Sequence, residues 1–188
     1  MKKILAAVIF LLPLAAMAEK ADALKPVEIK FTGPSHVDQV TQTYTVAGDV
    51  VITRGTMQLH SDHAEVRETP EGYKTVILTA NPGKIATFKQ KRDGGPDLWS
   101  DGQAQRIEYD ERADVVKLFS NAIVRQLENG RVSTEVKGPF ISYNNRTEVA
   151  DVRNDASGQD KPGNGRSTII LQPRRAPAGA APAPAGKP

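Results

Sequence analysis

Cysteine is absent from all 188 residues. Disulfide staples, zinc–thiolate sites and thiol catalysis are therefore excluded, and stability must come from the apolar core. Aromatic residues are scarce, 5% with a single tryptophan, so aliphatic side chains must supply most of that core. Charge is nearly balanced, 25 basic against 22 acidic residues for a net +3. Nothing resembles the concentrated basic footprint that nucleic acid demands. Helical periodicity is missing as well. The nearest candidate window, Ala104 to Val116, sets Ile107 and Tyr109 two apart, which suits a strand. No Gly-x-Ser-x-Gly elbow, phosphate loop or dinucleotide fingerprint occurs.

One long apolar run exists, at the start. Lys2-Lys3, the apolar stretch Ile4–Leu14 and the small-x-small triplet Ala16-Met17-Ala18 have the layout of a secretory signal peptide. A permanent anchor would need about 20 apolar residues, and this run is shorter and broken by Pro13. Cleavage after Ala18 is expected, giving an exported protein. Lys2 and Lys3 leave with the signal, so the remainder holds 23 basic and 22 acidic residues, a net +1. Residues 19–26 read as a flexible arm. Residues 27–173 read as one domain. Residues 174–188, within the final stretch PRRAPAGAAPAPAGKP, read as a disordered, partly polyproline-like tail.

Within the domain, short alternating runs are punctuated by turn residues. Strands are predicted at 27–31, 42–46, 49–53, 56–60, 63–68, 74–79 and 84–89. Others are predicted at 104–109, 114–119, 122–127, 132–136, 140–143, 147–152 and 167–171. Between them stand Gly33-Pro34, Gly48-Asp49, Asn81-Pro82-Gly83, Asn129-Gly130, Gly138-Pro139 and Asn144-Asn145. The fold class is all-β. A faint repeat runs through Asp62–Pro82, Gln103–Ala122 and Phe140–Asn154, each a strand, a second strand and an asparagine. Repetition of one small unit predicts stacked hairpins, none able to bury its own apolar face.

Candidate chemistry is thin. His60 and His63, near Asp62 and Glu65, tempt as metal ligands, but residues three apart on extended chain face opposite ways. Exposed loop histidines are the simpler reading, and no metal is expected. Asp101, Glu108, Asp110, Glu111 and Asp114 could supply a carboxylate pair for glycoside hydrolysis, yet such pairs arise in any β protein. Asn145-Arg146-Thr147 matches a glycosylation triplet that a turn explains equally well. No enzyme is expected. The alternating apolar rows need a second layer, and two arrangements remain open. One is a filled core, which close packing favours. The other is a pair of layers that fail to close and leave an apolar groove.

Several motifs bear on that choice. Gly48-Asp49-Val50-Val51-Ile52-Thr53-Arg54-Gly55 is followed by Leu59-His60-Ser61-Asp62-His63-Ala64-Glu65-Val66. Pro82–Gln90, Gly102–Asp110, Leu118–Val124 and Gly138–Tyr143 come later, in order. Together they resemble the OstA-like domain family of lipopolysaccharide export, over residues 27–173. Asp49 and Ser120 replace the family's usual Asn and Gly, and Gly138-Pro139 its Gly-Asp.

The resemblance implies an open β-jellyroll, a folded-over antiparallel sheet whose apolar interior groove takes lipid A acyl chains of lipopolysaccharide. It implies a periplasmic protein that self-associates end to end. It further implies docking by edge strands onto inner-membrane LptC-like and outer-membrane LptD-like OstA domains. The groove is expected around Val50, Ile52, Met57 and Leu59, with Val27 and Ile29 at its mouth. Facing rows are expected from Val66, Val76, Leu78, Ile85, Phe88 and Ile107, and from Tyr109, Val116, Leu118, Ile123, Ile141 and Tyr143. Lys84, Arg106, Lys117 and Arg125 are candidate headgroup contacts, although solvated strand faces explain them as well. Two alternatives stand beside this reading: an inner-membrane-anchored component of the same system, and an exported polysaccharide-acting enzyme with a closed β-core.

Overall fold

The structure, a computed structural model, describes residues 22, 24–163 and 165–173. The expected signal peptide, the tail and residues 19–21 and 23 of the arm lie outside the described residues. Strands β1 (Glu28–Lys30), β2 (Ser35–Asp38), β3 (Thr43–Arg54) and β4 (Met57–Glu68) come first. They are followed by β5 (Lys74–Thr79), β6 (Ala86–Lys91), β7 (Leu98–Ala104) and β8 (Arg106–Asp110). The last four are β9 (Val115–Glu128), β10 (Arg131–Asn144), β11 (Val149–Arg153) and β12 (Thr168–Leu171). Every pairing is antiparallel, in one 12-stranded sheet.

The sheet folds into two layers because its four long strands each serve both. The first layer runs β2, the start of β3, the end of β4, β5, β8, the start of β9, the end of β10, and β11. The second runs β1, the end of β3, the start of β4, β6, β7, the end of β9, the start of β10, and β12. The result is an all-β jellyroll.

The long strands change layer at defined points. β3 slips register between Ala47 and Val50, and β10 between Gly138 and Phe140. β9 crosses through left-handed backbone at Ser120 (φ 64°) and Asn121 (φ 54°). β4 leaves β6 after His60 and joins β5 from His63. Each irregularity resets which side chains face inward. In β4 the buried positions move from Met57 and Leu59 to Ala64 and Val66. Gly48 shows why the residue type matters. Its φ is 80°, and an added Cβ would stand 2.7 Å from the Gly33 backbone nitrogen, so only glycine fits.

Alternation that restarts at each crossing made single strands look like pairs. The predicted strands 42–46 and 49–53 are together β3, and β4, β9 and β10 were divided in the same way. The repeat acquires a structural meaning. Its three units are the hairpins formed by β4 with β5, β8 with β9, and β10 with β11, laid side by side in the first layer.

Between the layers lies one apolar core, mostly aliphatic, with Phe88, Tyr109 and Tyr143 as its buried aromatics at the interior face. The arm is not wholly free. Asp22 is buried, and its carboxylate accepts hydrogen bonds from the Thr56 amide (2.8 Å) and hydroxyl at the β3–β4 turn.

Candidate functional site: the apolar interior and its seam

The crossings make a spine. Backbone bonds tie neighbouring crossings together there: Thr32 donates to Gly48, Ala80 to Gln105, and Gln105 to Ser120. Away from the spine each layer ends in turns. The first layer's rim carries the β2–β3, β4–β5, β8–β9 and β10–β11 turns; the second's carries β3–β4, β6–β7 and β9–β10. The rims of the two layers face each other and close on the interior.

Alternation places most of the expected groove residues on the interior face. Val50, Ile52, Met57, Leu59, Val66, Val76 and Leu78 are buried there. So are Phe88, Ile107, Tyr109, Val116, Leu118, Ile141 and Tyr143. Val27 and Ile29 pack against the same cluster from its N-terminal end. Two residues fall elsewhere. Ile85, 48% exposed, precedes β6, and Ile123 is half-buried on the outer face. Ile85 and Phe88 are three apart, so a strand that turns Phe88 inward also turns in Ala86 and Gln90 and leaves Ile85 out. Ala122 and Val124 take the interior positions on either side of Ile123.

Outside the expected groove set, Val46, Ala64, Ala86, Ala104, Ala122, Val124 and Val136 complete the interior. Small alanines near the crossings carry no apolar signal strong enough to find them.

The interior is narrow. Beneath the rims at the N-terminal end lies a cavity of about 20 Å³, lined by Val27, Ile52, Met57, Leu59, Val76 and Tyr109. That is room for about one water. Its lip is charged, formed by Arg54, Lys74 and Glu111.

Across the seam the rims meet through side chains. Arg54, ending β3 in the second layer, pairs with Glu111 of the first at 2.7 Å. Arg92, after β6, pairs with Glu148 between β10 and β11 at 2.6 Å. Both arginine side chains are only 10% exposed. The Ser100 and Tyr143 hydroxyls add a 2.8 Å bond between the layers. The seam pairs are sequence-distant, Arg92 and Glu148 by 56 residues. No local pattern reveals them.

The candidate carboxylates have structural partners. Asp101 pairs with Arg125, Glu108 with Arg106, and Asp110 caps the Ala113 amide. Asp114 accepts from the Tyr109 hydroxyl and from Asn145 Nδ2, which engages the would-be glycosylation acceptor. The candidate headgroup cations face outward. Lys84 pairs with Asp62 at 2.7 Å and holds its carboxyl below the usual range, aided by the Asn81 amide. Arg125 pairs with Glu135, Arg106 stands over the Phe119 ring, and Lys117 is exposed.

Burial pushes the Tyr109 hydroxyl far above its ordinary range, with the Asp114 charge adding to the effect. Burial raises Tyr143 too, against the opposing Ser100 bond. Unfolded tyrosine ionises near about pH 10. Above that the folded state keeps protons that the unfolded chain has lost, so stability falls as pH rises. The slope approaches about 1.4 kcal/mol per pH unit per tyrosine. We expect urea midpoints to be flat to about pH 9 and to drop beyond 10, with Tyr143→Phe shallower over that range. An identical slope in that variant would refute the assignment.

The comparisons with known proteins agree with this architecture. Residues 34–149 match the family described as "LptA/(LptD N-terminal domain) LPS transport protein". The lipopolysaccharide export system protein LptA of Escherichia coli (strain K12) is 29% identical over 140 residues, covering 74% of this chain and 71% of the relative. The LptA of Haemophilus influenzae (strain ATCC 51907 / DSM 11121 / KW20 / Rd) is 27% identical over 161 residues, covering 85% and 84%. The crystal structure of LptH, the LptA-homologous periplasmic component of the lipopolysaccharide transport device of Pseudomonas aeruginosa, superposes with a TM-score of 0.68. It shares 22% identity over 81% of this chain and 99% of its own, and so speaks to the fold alone. A match across most of the roll, from β2 to the start of β11, shows that the chain belongs to the LptA/(LptD N-terminal domain) family of LPS transport proteins.

Proposed function

We propose that this protein carries lipopolysaccharide through the periplasm, shielding lipid A acyl chains between its two layers. The observation that carries the reading is a two-layered roll with an apolar interior whose layers both finish, among the described residues, in strands without outer neighbours. β1 and β2 end it on one side, β11 and β12 on the other. Such edges are templates for strand addition. Copies joined there, and LptC-like and LptD-like OstA domains at the two membranes, would make a bridge with a continuous apolar interior. Each buried CH₂ gains about 0.8 kcal/mol, so acyl chains held there cross water without a large penalty. Export by the N-terminal signal, cleaved after Ala18, would deliver the chain to that compartment. The chemistry required is shielding; no bond is made or broken.

Native mass spectrometry tests this directly. The purified protein is titrated with lipopolysaccharide and, separately, with O-antigen polysaccharide lacking lipid A. Adducts are expected only with the lipid-bearing molecule. Equal binding of both, or of neither, would overturn the carrier reading.

A further inference from the structure

A polar cleft lies on the outer face of the second layer, on the far side of the sheet from the apolar interior. Its volume is about 270 Å³, near the lower bound of about 300 Å³ for small-ligand pockets. Four adjacent strands build it in register. Gln58 of β4 stands opposite Lys89 of β6, Lys89 opposite Asp101 of β7, and Asp101 opposite Arg125 of β9. Nearer the spine, His60, Thr87 and Gln103 form a second row. Phe88 turns its ring inward and Gly102 has no side chain. Backbone and the short Thr87 therefore floor the cleft between longer side chains.

Its polar groups are held in place by one another. Arg125 donates to Asp101 and Gln103, each at 3.4 Å, and to Glu135 at 2.6 Å, which fixes its guanidinium plane. Lys137 also pairs with Glu135, so two cations balance two acids there. Lys89 is the surplus charge. It is exposed, has no carboxylate partner among the described residues, and holds its ammonium 4.9 Å from the centre of the Trp99 ring. Trp99 borders the cleft two positions from Asp101, on the same face of β7.

Such a surface sorts ligands by chemistry. The Asp101 and Glu135 charges repel a nucleic acid, and an apolar peptide finds no apolar side chain facing it. A bare anion can meet Lys89 but has nothing to donate to Asp101. A polyhydroxylated ligand serves both donors and acceptors, since each hydroxyl gives one bond and receives others. An acid group on the same ligand answers Lys89 with a charge-assisted bond.

We propose that this cleft binds an acidic saccharide, a sugar chain bearing carboxylates. Its hydroxyls bond Gln58, Asp101 and Gln103, and a carboxylate meets Lys89. The occupant is a glycan free of lipid, because the cleft faces away from the interior and nothing joins the two. The site therefore stands independently of the carrier reading.

The chain's single tryptophan is the reporter, with Lys89 lying over its ring. Trigalacturonate is titrated against the intact protein, with maltotriose and inorganic phosphate in parallel at matched ionic strength. Affinity on the order of a millimolar is expected, too weak to persist as an adduct in the native titration above. Trp99 emission should change saturably with trigalacturonate, and maltotriose should bind about tenfold more weakly. Lys89→Gln should erase that preference, and Gln103→Ala should weaken both sugars. Lys117→Gln, on the outer face of the first layer, should change nothing. Phosphate acting as well as trigalacturonate would reduce the cleft to plain anion binding and overturn the proposal. So would silence with every sugar, or a preference that survives Lys89→Gln. A response to lipopolysaccharide alone, lost in Lys89→Gln, would overturn the free glycan as occupant.

Discussion

Phe88→Ala should cost about 3–5 kcal/mol of unfolding free energy, a large fraction of the 5–15 kcal/mol typical of a domain. Phe88 sits in mid-interior, 1% exposed, opposite Leu59 on one neighbour and Gly102 on the other. The ring occupies space that β7 leaves open. A Cβ on Gly102 would lie 3.7 Å from that ring and 2.9 Å from Leu118 Cδ2. Removing the ring therefore opens a void between backbones that hydrogen bonds hold in place, and little can collapse into it. Urea unfolding is the measurement, with a lower midpoint and an unchanged slope expected. A loss below about 1 kcal/mol would mean that the ring borders a permanently loose groove and not a packed core.

The second large effect concerns assembly. β12 is an edge whose residues are all exposed, including Ile169, Ile170 and Leu171, which is a poor way to end a solitary protein. Along any strand, successive amides alternate between the inner neighbour and the outside. Prolines placed in turn at Ile169 and Ile170 should therefore behave differently. One removes an amide that bonds β10 and costs stability; the other removes an outward donor and thrusts a ring at any incoming strand. If copies join end to end as proposed, that second variant should weaken self-association about a hundredfold, near 2.7 kcal/mol, while leaving the urea midpoint nearly unchanged. Sedimentation velocity across a concentration series reads it. Two variants that associate like the parent would place the joint elsewhere on the molecule.

Much of the fold was legible from residue order. β5 occupies the predicted 74–79, and Asn129-Gly130 forms the two-residue hairpin link, with φ of 51° and 71°, that this dipeptide favours. β7 was not legible, for a reason found in its partners. Its inward positions are Ser100, Gly102 and Ala104, small because Phe88 and Leu118 fill the space above them. An interior strand without large apolar residues has no alternation to detect. β2 escaped because, as an edge strand, it is almost wholly exposed. Ile85 and Ile123 were misplaced by parity, since an apolar residue beside a crossing follows whichever phase its larger or better-packed neighbours impose. The seam pairs are beyond any local pattern. They exist only once two rims distant in sequence are brought face to face.

The two layers end together, and this has a mechanical consequence. Among the described residues, each end of the roll has two edge strands, one per layer, held apart by the core. A partner that continues the architecture must add a strand to both at once. Once one layer is joined, the other meets its mate at high effective concentration, so each joint gains avidity from two modest pairings. Two parallel attachments also resist rotation in a way one cannot. A filament built through such joints would transmit torque and keep successive seams on a fixed helical path, whereas a single-edged joint would let neighbouring rolls swivel.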